Sequence, residues 1–141
     1  DTSETDFFER IRQSLIAGIA FIQEHPRVYQ IYLKMIFQED FPLRGQFLQQ
    51  VHLFSGEYLK PLVESGIARG DLRQDLDIGT TVFFLDALMD RFLQAYCVSF
   101  LDAGSGLYQA DQATVERRIE ELIQLLRFGM GVASRQADLP V

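Results

Sequence analysis

The sequence predicts an all-α fold of five to six helices. Apolar side chains recur at spacings of three and four residues through most of the chain, which is the periodicity of one face of a helix. Proline, glycine and aspartate stand between the periodic stretches, in positions where they end or cap helices. Strand signals are weak, because the β-branched runs are short and fall inside the helical patterns.

Length and composition predict one soluble domain. The chain has 141 residues and is 48% hydrophobic, so we expect a single domain over residues 1–141, with flexible ends at 1–5 and 132–141. A net charge of −7 disfavours contact with phosphates, so the chain alone is a poor candidate for nucleic-acid binding. No apolar run reaches the roughly eighteen residues of a membrane span. The single Cys97 and the lack of a visible signal peptide fit the cytoplasm.

The first two helices are separated by a proline. Helical periodicity runs from Asp6 to Glu24, and a second helix should follow from Pro26 to about Gln38. Pro26 disfavours helical geometry at the residue before it and suits the first turn of a new helix. The side chains of the first helix that we expect in the core are Phe8, Ile11, Leu15 and Ile22.

A third helix is predicted over residues 43–68, with Pro61 inside it, where a proline should kink or split the helix. The polar stretch 69–77 then forms a connection. Asp75 or Asp77 can cap the next helix, because a carboxylate accepts hydrogen bonds from free backbone N–H groups.

The stretch 75–103 predicts the longest helix, about 40 Å at ~1.5 Å per residue, and we expect the chain to be organised around it. Two apolar rows cover most of its circumference, so it needs cover from its own domain and from a partner chain. A narrow polar line should run along the far side. The side chains of that line are Asp86, Asp90 and Gln94.

The last helix can be capped by Asp111 or Thr114 and should end at Gly129 and Gly131.

No residue pattern supports catalysis or metal binding. The two histidines lie far apart, there is no pair of cysteines, and Cys97 has no basic neighbour that would activate it. The glycines lack the strand-then-helix setting of a phosphate loop. The sequence therefore predicts neither an enzyme nor a cofactor.

Aromatic side chains are abundant, with 12 Phe and 5 Tyr. Most of them should simply fill the core. Several tyrosines nevertheless add hydroxyls to apolar rows, and a buried tyrosine needs a partner for its O–H. Apolar walls with a few placed hydroxyls also describe a small-molecule pocket between helices, so both interpretations stay open.

Three stretches together resemble the C-terminal, ligand-binding and dimerising domain of TetR-type transcriptional regulators. Residues 24–33 (EHPRVYQIYL) form a helix opened by proline and rich in aromatics. Residues 62–77 (LVESGIARGDLRQDLD) resemble the turn before the family's long penultimate helix, and they are the most specific part. Residues 119–131 (IEELIQLLRFGMG) resemble the closing helix. The resemblance covers most of residues 5–131.

The resemblance implies an orthogonal helix bundle that forms a homodimer, with the last two long helices of each subunit in a four-helix bundle. It also implies that DNA is read by an N-terminal helix-turn-helix, which we expect upstream of Asp1, so that this chain is a regulator without its DNA-reading module. Which apolar row of helix 75–103 faces the partner stays open. The residues assigned to the interface and the core just beneath it are Val82, Leu85, Met89, Phe92, Val115, Ile119, Leu122 and Leu126.

The resemblance further implies an effector pocket among the first four helices of each subunit. A small, largely apolar or aromatic effector would favour one packing of the helices, move the first helix and so change the spacing of the two DNA-reading modules. The residues that map to the pocket wall are Tyr29, Leu33, Phe37, Phe54, Tyr58, Phe84 and Leu88.

Two alternatives to this effector-binding regulator domain remain. One is an all-helical interaction module whose apolar rows serve only a protein partner. The other is a small helical enzyme, which would need converging polar residues in a cleft.

Overall fold

The computed structural model of this chain describes residues 5–38 and 56–131. Those residues form helices and loops without any strand among them, which confirms the predicted all-α class. The helices in these ranges are α1 (Phe7–Glu24), α2 (Pro26–Phe37), α3 (Gly56–Ala68), α4 (Ile78–Cys97) and α5 (Gln112–Phe128), with one 3₁₀ turn at Ser99–Leu101.

Helix α1 is the centre of the bundle, because α2, α3, α4 and α5 all pack against it. The sequence points instead to the longer penultimate helix, whose apolar surface is wider. The carboxylate of Asp6 caps α1 by accepting a hydrogen bond from the backbone N–H of Glu9 at 2.7 Å, and this bond lowers the pKa of Asp6. All the expected core side chains of this helix are buried, and three further residues join them. The buried residues are Phe7, Phe8, Ile11, Leu15, Gly18, Ile19 and Ile22.

Helices α2 and α3 follow the predicted pattern of prolines. Helix α2 starts at Pro26 and buries Tyr29 and Tyr32. Of the helix predicted over 43–68, the part up to residue 55 lies outside the described residues, and the rest is α3. Pro61 does not split α3. The proline removes one backbone hydrogen bond on an exposed side of the helix, where water can replace it.

Helix α4 is shorter at both ends than the predicted stretch 75–103. Asp77 caps its start, because its carboxylate accepts from the backbone N–H of Thr80 at 2.8 Å, and this bond lowers the pKa of Asp77. The helix ends at Cys97, where Val98 takes an extended conformation with φ −126° and ψ 113°. The 20 residues of α4 span about 30 Å instead of the expected 40 Å, at ~1.5 Å per residue.

A loop held by Asp102 replaces the last part of the predicted helix. Its carboxylate accepts from the hydroxyl of Ser105, from the backbone N–H of Leu107 at 2.9 Å and from that of Gly106 at 3.2 Å. These bonds lower the pKa of Asp102, the bond from Ser105 contributing most. Arg118 of α5 donates to the carbonyl of Ser105 at 2.7 Å, so the loop is also tied to α5. These local bonds are the physical reason why the helix stops before residue 103.

Helix α5 has the predicted ends. Asp111 caps its start, and its carboxylate accepts from the backbone N–H of Thr114 at 2.8 Å. Gly129 ends it with φ +72°, a left-handed conformation that favours glycine.

Several contacts hold the start of α1 in place. The carbonyl of Thr5 accepts from Arg69 at 2.9 Å, although residues 1–5 are expected to be flexible. The backbone N–H of Phe7 donates to the Asp71 carboxylate at 3.1 Å, and Arg127 pairs with Asp6 at 3.3 Å. The connection between α3 and α4, and the end of α5, therefore both hold the start of α1. The remaining predicted flexible ends, residues 1–4 and 132–141, lie outside the described residues.

Candidate functional site

The sequence suggests that the polar line of α4 lies along the solvent side, but the structure turns this line inward. Gln94 is 9% exposed, and Asp90 accepts a hydrogen bond from the hydroxyl of Tyr32 on α2. The line is turned inward because Tyr32 of α2 reaches this side of α4 and donates its hydroxyl to Asp90. The sequence shows the line but does not show which helix faces it.

Two tyrosines of α2 form the centre of this contact. The rings of Tyr29 and Tyr32 lie 5.5 Å apart and both residues are 2% exposed. Burial raises the pKa of both hydroxyls, and nearby groups of α4 add to the rise. The α4 groups that act on the two tyrosines are Asp86, Asp90 and Cys97, and we call these five residues the tyrosine cluster.

Cys97 is the thiol of this cluster. Burial raises its pKa to about 11, so the thiol is neutral and unreactive at neutral pH. This agrees with the inert thiol that the sequence predicts.

The predicted pocket residues fall in different parts of the structure. On α2, Tyr29 is buried, Leu33 is half-buried and Phe37 is 60% exposed. On α3, Tyr58 is 45% exposed and its hydroxyl lies 2.7 Å from the hydroxyl of Ser14. Phe54 lies outside the described residues. The structure thus brings only part of the predicted wall next to the tyrosine cluster.

The two predicted pocket residues of α4 lie on the other side of that helix. Phe84 and Leu88 each stand two residues before a member of the polar line, a rotation of about 200° at 3.6 residues per turn. Phe84 is 54% exposed and Leu88 is half-buried. The structure therefore does not bring them together with Tyr29, and their contact with an effector stays a prediction.

A cleft of about 560 Å³ lies between the start of α1, the connection 71–76, the start of α4 and the end of α5. Its walls are mostly carbon, with two arginines and one aspartate among them. The sequence does not show the cleft, because its residues come from four separated stretches. The residues that line it are Phe7, Phe8, Asp71, Leu72, Arg73, Leu76, Thr80, Thr81, Phe84, Leu85, Leu125, Leu126, Arg127, Phe128 and Gly129.

Most of the residues predicted for the dimer interface belong to the core of a single chain. Five of them are 0–7% exposed: Leu85, Met89, Phe92, Val115 and Ile119. Val82, Leu122 and Leu126 are half-buried and pack against that core. Within the single chain, these eight residues therefore form or adjoin the core. Contact of any of them with a partner chain stays a prediction.

A neighbouring row of apolar side chains is exposed or half-buried. Phe84 is 54% exposed on α4, and Leu125 and Phe128 are 49% and 70% exposed on α5. Large apolar side chains exposed near one another can mark an interaction surface. The residues of this row, which we call the apolar face, are Phe84, Ala87, Leu88, Leu122, Leu125 and Phe128.

Over residues 5–38 and 56–131, no group of three or more His, Cys, Asp and Glu side chains is placed to hold a metal ion. None of the helices in these ranges is long and apolar enough to cross a bilayer.

A family model described as "Tetracyclin repressor-like, C-terminal domain" matches residues 5–131. The match begins just before the cap of α1 and ends just after the glycine that terminates α5, so it includes every helix of the described ranges. A comparison with curated proteins and a comparison with solved structures each gave no match.

Proposed function

Because this chain belongs to the family of tetracyclin repressor-like C-terminal domains, we propose that it binds a small effector and dimerises as part of a DNA-binding transcriptional regulator. Domains of this family generally dimerise and bind small-molecule effectors, and the family is one of regulators rather than enzymes. The apolar face of α4 and α5 is the observation that carries the proposal.

In the proposed homodimer, a second copy covers the apolar face. Phe84 and Leu88 lie on one side of α4, and Leu122, Leu125 and Phe128 lie on one side of α5. Each helix thus offers an apolar strip to a partner, on either side of the cleft that Phe84, Leu125 and Phe128 line. The interface of a twofold dimer uses the same patch on both subunits, and an obligate one buries roughly 2,000 Å² or more. The exposed row of α4 is thus our choice for the partner side, and the buried row stabilises the subunit.

Light scattering on Leu125→Arg tests the dimer. The substitution places a charge in the middle of the apolar face without entering the core, since Leu125 is 49% exposed. We expect a folded monomer where the parent chain is a dimer. Gln124→Arg adds the same charge to an exposed neighbour on another side of α5 and should leave the dimer intact. A Leu125→Arg protein that stays dimeric at the same concentration would contradict the assignment.

We propose that the effector binds beside the tyrosine cluster. The rings of Tyr29 and Tyr32 are each 2% exposed, so an effector would reach them and the Tyr32–Asp90 pair only in a second packing of the helices. Such walls favour a largely apolar or aromatic molecule with one or two polar groups. Since Asp90 accepts the Tyr32 hydroxyl, a polar group on the effector would join or replace that bond.

Thermal unfolding with a panel of apolar and aromatic compounds tests the effector site. A ligand at ~100 times its Kd stabilises the folded state by about 2.7 kcal/mol, which raises the unfolding midpoint. Tyr32→Phe removes the hydroxyl that bonds Asp90 and should weaken the response severalfold. Tyr108→Phe removes a hydroxyl from a 40% exposed tyrosine and should not. If no compound of the panel raises the unfolding midpoint, or if Tyr32→Phe leaves the response unchanged, the result counts against this site.

The remaining parts of the proposal concern the whole regulator. We propose that it acts in the cytoplasm as a repressor and reads DNA through an N-terminal helix-turn-helix upstream of Asp1. The native sequence before Asp1 tests this directly. We expect a segment of roughly fifty residues that is basic overall and has the pattern of three short helices with a helix-turn-helix, because a chain of net charge −7 needs a basic module to bind DNA. A native start near Asp1 would remove the DNA-reading role.

A further inference from the structure

We propose that the cleft between α1, α4 and α5 is a second ligand site, separate from the tyrosine cluster, for an apolar or aromatic molecule that carries one anionic group. The size of the cleft fits this class of ligand. Its volume of about 560 Å³ lies within the ~300–1,000 Å³ of small-molecule pockets.

The apolar part of the ligand would meet aromatic surface on two sides. Phe7 and Phe8 pack edge to face, with ring centroids 5.3 Å apart, and both residues are at most 6% exposed. Phe84 and Phe128 line the cleft from α4 and α5 and are more than half exposed. A ring lying between them would cover apolar surface that is exposed in the single chain.

The charged side chains of the cleft favour an anion. Arg73 and Arg127 line it together with one acid, Asp71, whereas the whole chain carries a net charge of −7. Asp71 is already engaged by the backbone N–H of Phe7 at 3.1 Å and lies 4.0 Å from Arg69. Two of the three charged side chains that line the cleft are therefore arginines, each with a carboxylate partner outside the lining.

Arg73 is the side chain that can turn to a ligand. Its pair with Asp75, at 3.5 Å, joins two side chains that are 76% and 75% exposed, and such surface pairs contribute little. Arg127 is held more firmly, because it pairs with Asp6 and its guanidinium carbon lies 4.5 Å from the centroid of the Phe8 ring. We therefore expect Arg73 to meet the anionic group and Arg127 to shape the wall.

The site is distinct from the tyrosine cluster and is placed to act on the start of α1. Phe84 points away from Asp86, about 200° around α4 at 3.6 residues per turn. The cleft is lined by Phe7, Asp71 and Arg127, and contacts of Asp71 and Arg127 fix the entry into α1. A ligand in the cleft would touch the contacts that hold this end of the helix.

The test uses two probes with the same rings, 8-anilinonaphthalene-1-sulfonate and N-phenyl-1-naphthylamine, of which only the first carries a charge. Titration of the ¹⁵N-labelled protein should shift the amide signals of Thr80, Thr81 and Gly129, which line the cleft. The signals of Asp90 and Cys97 in the tyrosine cluster should move less.

Substitutions then separate charge from shape. Arg73→Gln should weaken the binding of the sulfonate probe about two- to fivefold, the range expected for one exposed ion pair. The same substitution should leave the binding of the neutral probe unchanged. Arg117→Gln removes an exposed arginine of α5 that does not line the cleft and should change neither probe. Thr80→Trp places an indole in the cleft from an exposed position and should exclude both probes.

Other outcomes overturn the proposal. If the probes leave the signals of Thr80, Thr81 and Gly129 unchanged, or move those of the tyrosine cluster instead, the cleft is not a ligand site. If these signals respond to dilution rather than to the probes, a second copy occupies the cleft. The oligomeric state is measured separately by light scattering. Phe84, Leu125 and Phe128 belong both to the cleft and to the apolar face, so a response of these signals to dilution reports the dimer, and a response to the probes at constant protein concentration reports the ligand site.

Discussion

Gly18 of α1 lies directly against Leu93 of α4. A β-carbon at residue 18 would come within 2.8 Å of Cδ1 and 3.0 Å of Cδ2 of Leu93, which is closer than such atoms can pack. Leu93 is 0% exposed, so its side chain could make room only by moving within the core. The glycine therefore sets how closely the central helix approaches the longest one.

Gly18→Ala should leave stability unchanged or lower it by up to about 2 kcal/mol. Alanine improves helix propensity by ~1 kcal/mol, but overpacking a full core costs ~1–3 kcal/mol. Gly79→Ala is the matched control, because it lies exposed in the first turn of α4 and its β-carbon would meet only an Asp77 oxygen at 3.5 Å. It should stabilise by about 0.4–1 kcal/mol. Urea unfolding of both variants measures the difference, and a clear gain for Gly18→Ala would contradict the tight contact.

Stability should fall as the pH rises above about 9. The pKa of Cys97 is raised from 9.0 to about 11, and the pKa values of Tyr29 and Tyr32 are raised above their ordinary 10.0. Above these ordinary values the unfolded chain releases protons that the folded chain retains, so unfolding becomes more favourable with pH. Urea unfolding between pH 8 and 10.5 should show the loss. In the double variant Tyr29→Phe/Tyr32→Phe, the free energy of unfolding should fall less steeply with pH above pH 10. An equal slope in the two proteins would show that other groups cause the loss of stability.

Cys97 should react slowly with iodoacetamide while the protein is folded. A pKa of about 11 in place of 9.0 leaves about a hundredfold less thiolate at pH 8. As the chain has one cysteine, the mass of the intact protein reports the reaction directly. The same protein in urea is the control and should be modified at the rate of an ordinary thiol. Equal rates in both conditions would show that the thiol is not shielded.

Truncation of two nearby aliphatic side chains of α5 should distinguish the stability of the subunit from the stability of the dimer. Ile123 is 0% exposed, and Ile123→Ala should destabilise the subunit by about 2–5 kcal/mol. Leu125 is 49% exposed, and Leu125→Ala should mainly weaken the proposed dimer. Unfolding at several protein concentrations distinguishes the two effects, because only the dimer contribution depends on concentration. A large loss for Leu125→Ala that is independent of concentration would place this residue in the core instead.

Local signals in the sequence were enough to locate most helix ends. Pro26, Asp77, Asp111 and Gly129 act through their own backbone or through a bond to a residue three positions away, so short stretches of sequence contain the whole signal. The predicted end of α4 was wrong, because the loop that follows this helix depends on Asp102. The carboxylate of Asp102 bonds to residues further along the chain, whose sequence pattern indicates a separate turn.

The placement of the helices against each other could not be predicted in the same way. Residues 78–97 have apolar side chains on more than one side, so the sequence alone allows either row to face inward. The structure resolves this by packing α1 and α3 against α4, with Gly18 against Leu93 and with a β-carbon at residue 56 falling 4.0 Å from Cγ1 of Val82. The polar line was misassigned for the same reason, because only the position of Tyr32 gives Asp90 a partner.

The central position of α1 has a consequence for how the chain folds during synthesis. Helix α1 leaves the ribosome before the others, yet its ion pairs to α5 join residues 108 and 121 positions apart, Arg12 with Glu120 and Asp6 with Arg127. At ~5–20 residues per second, α1 waits on the order of 5 to 20 s for that partner. During this delay its Phe-, Ile- and Leu-rich face has incomplete cover. The nascent chain should therefore need chaperone protection until translation has passed α5, and slow codons before residue 112 should increase aggregation.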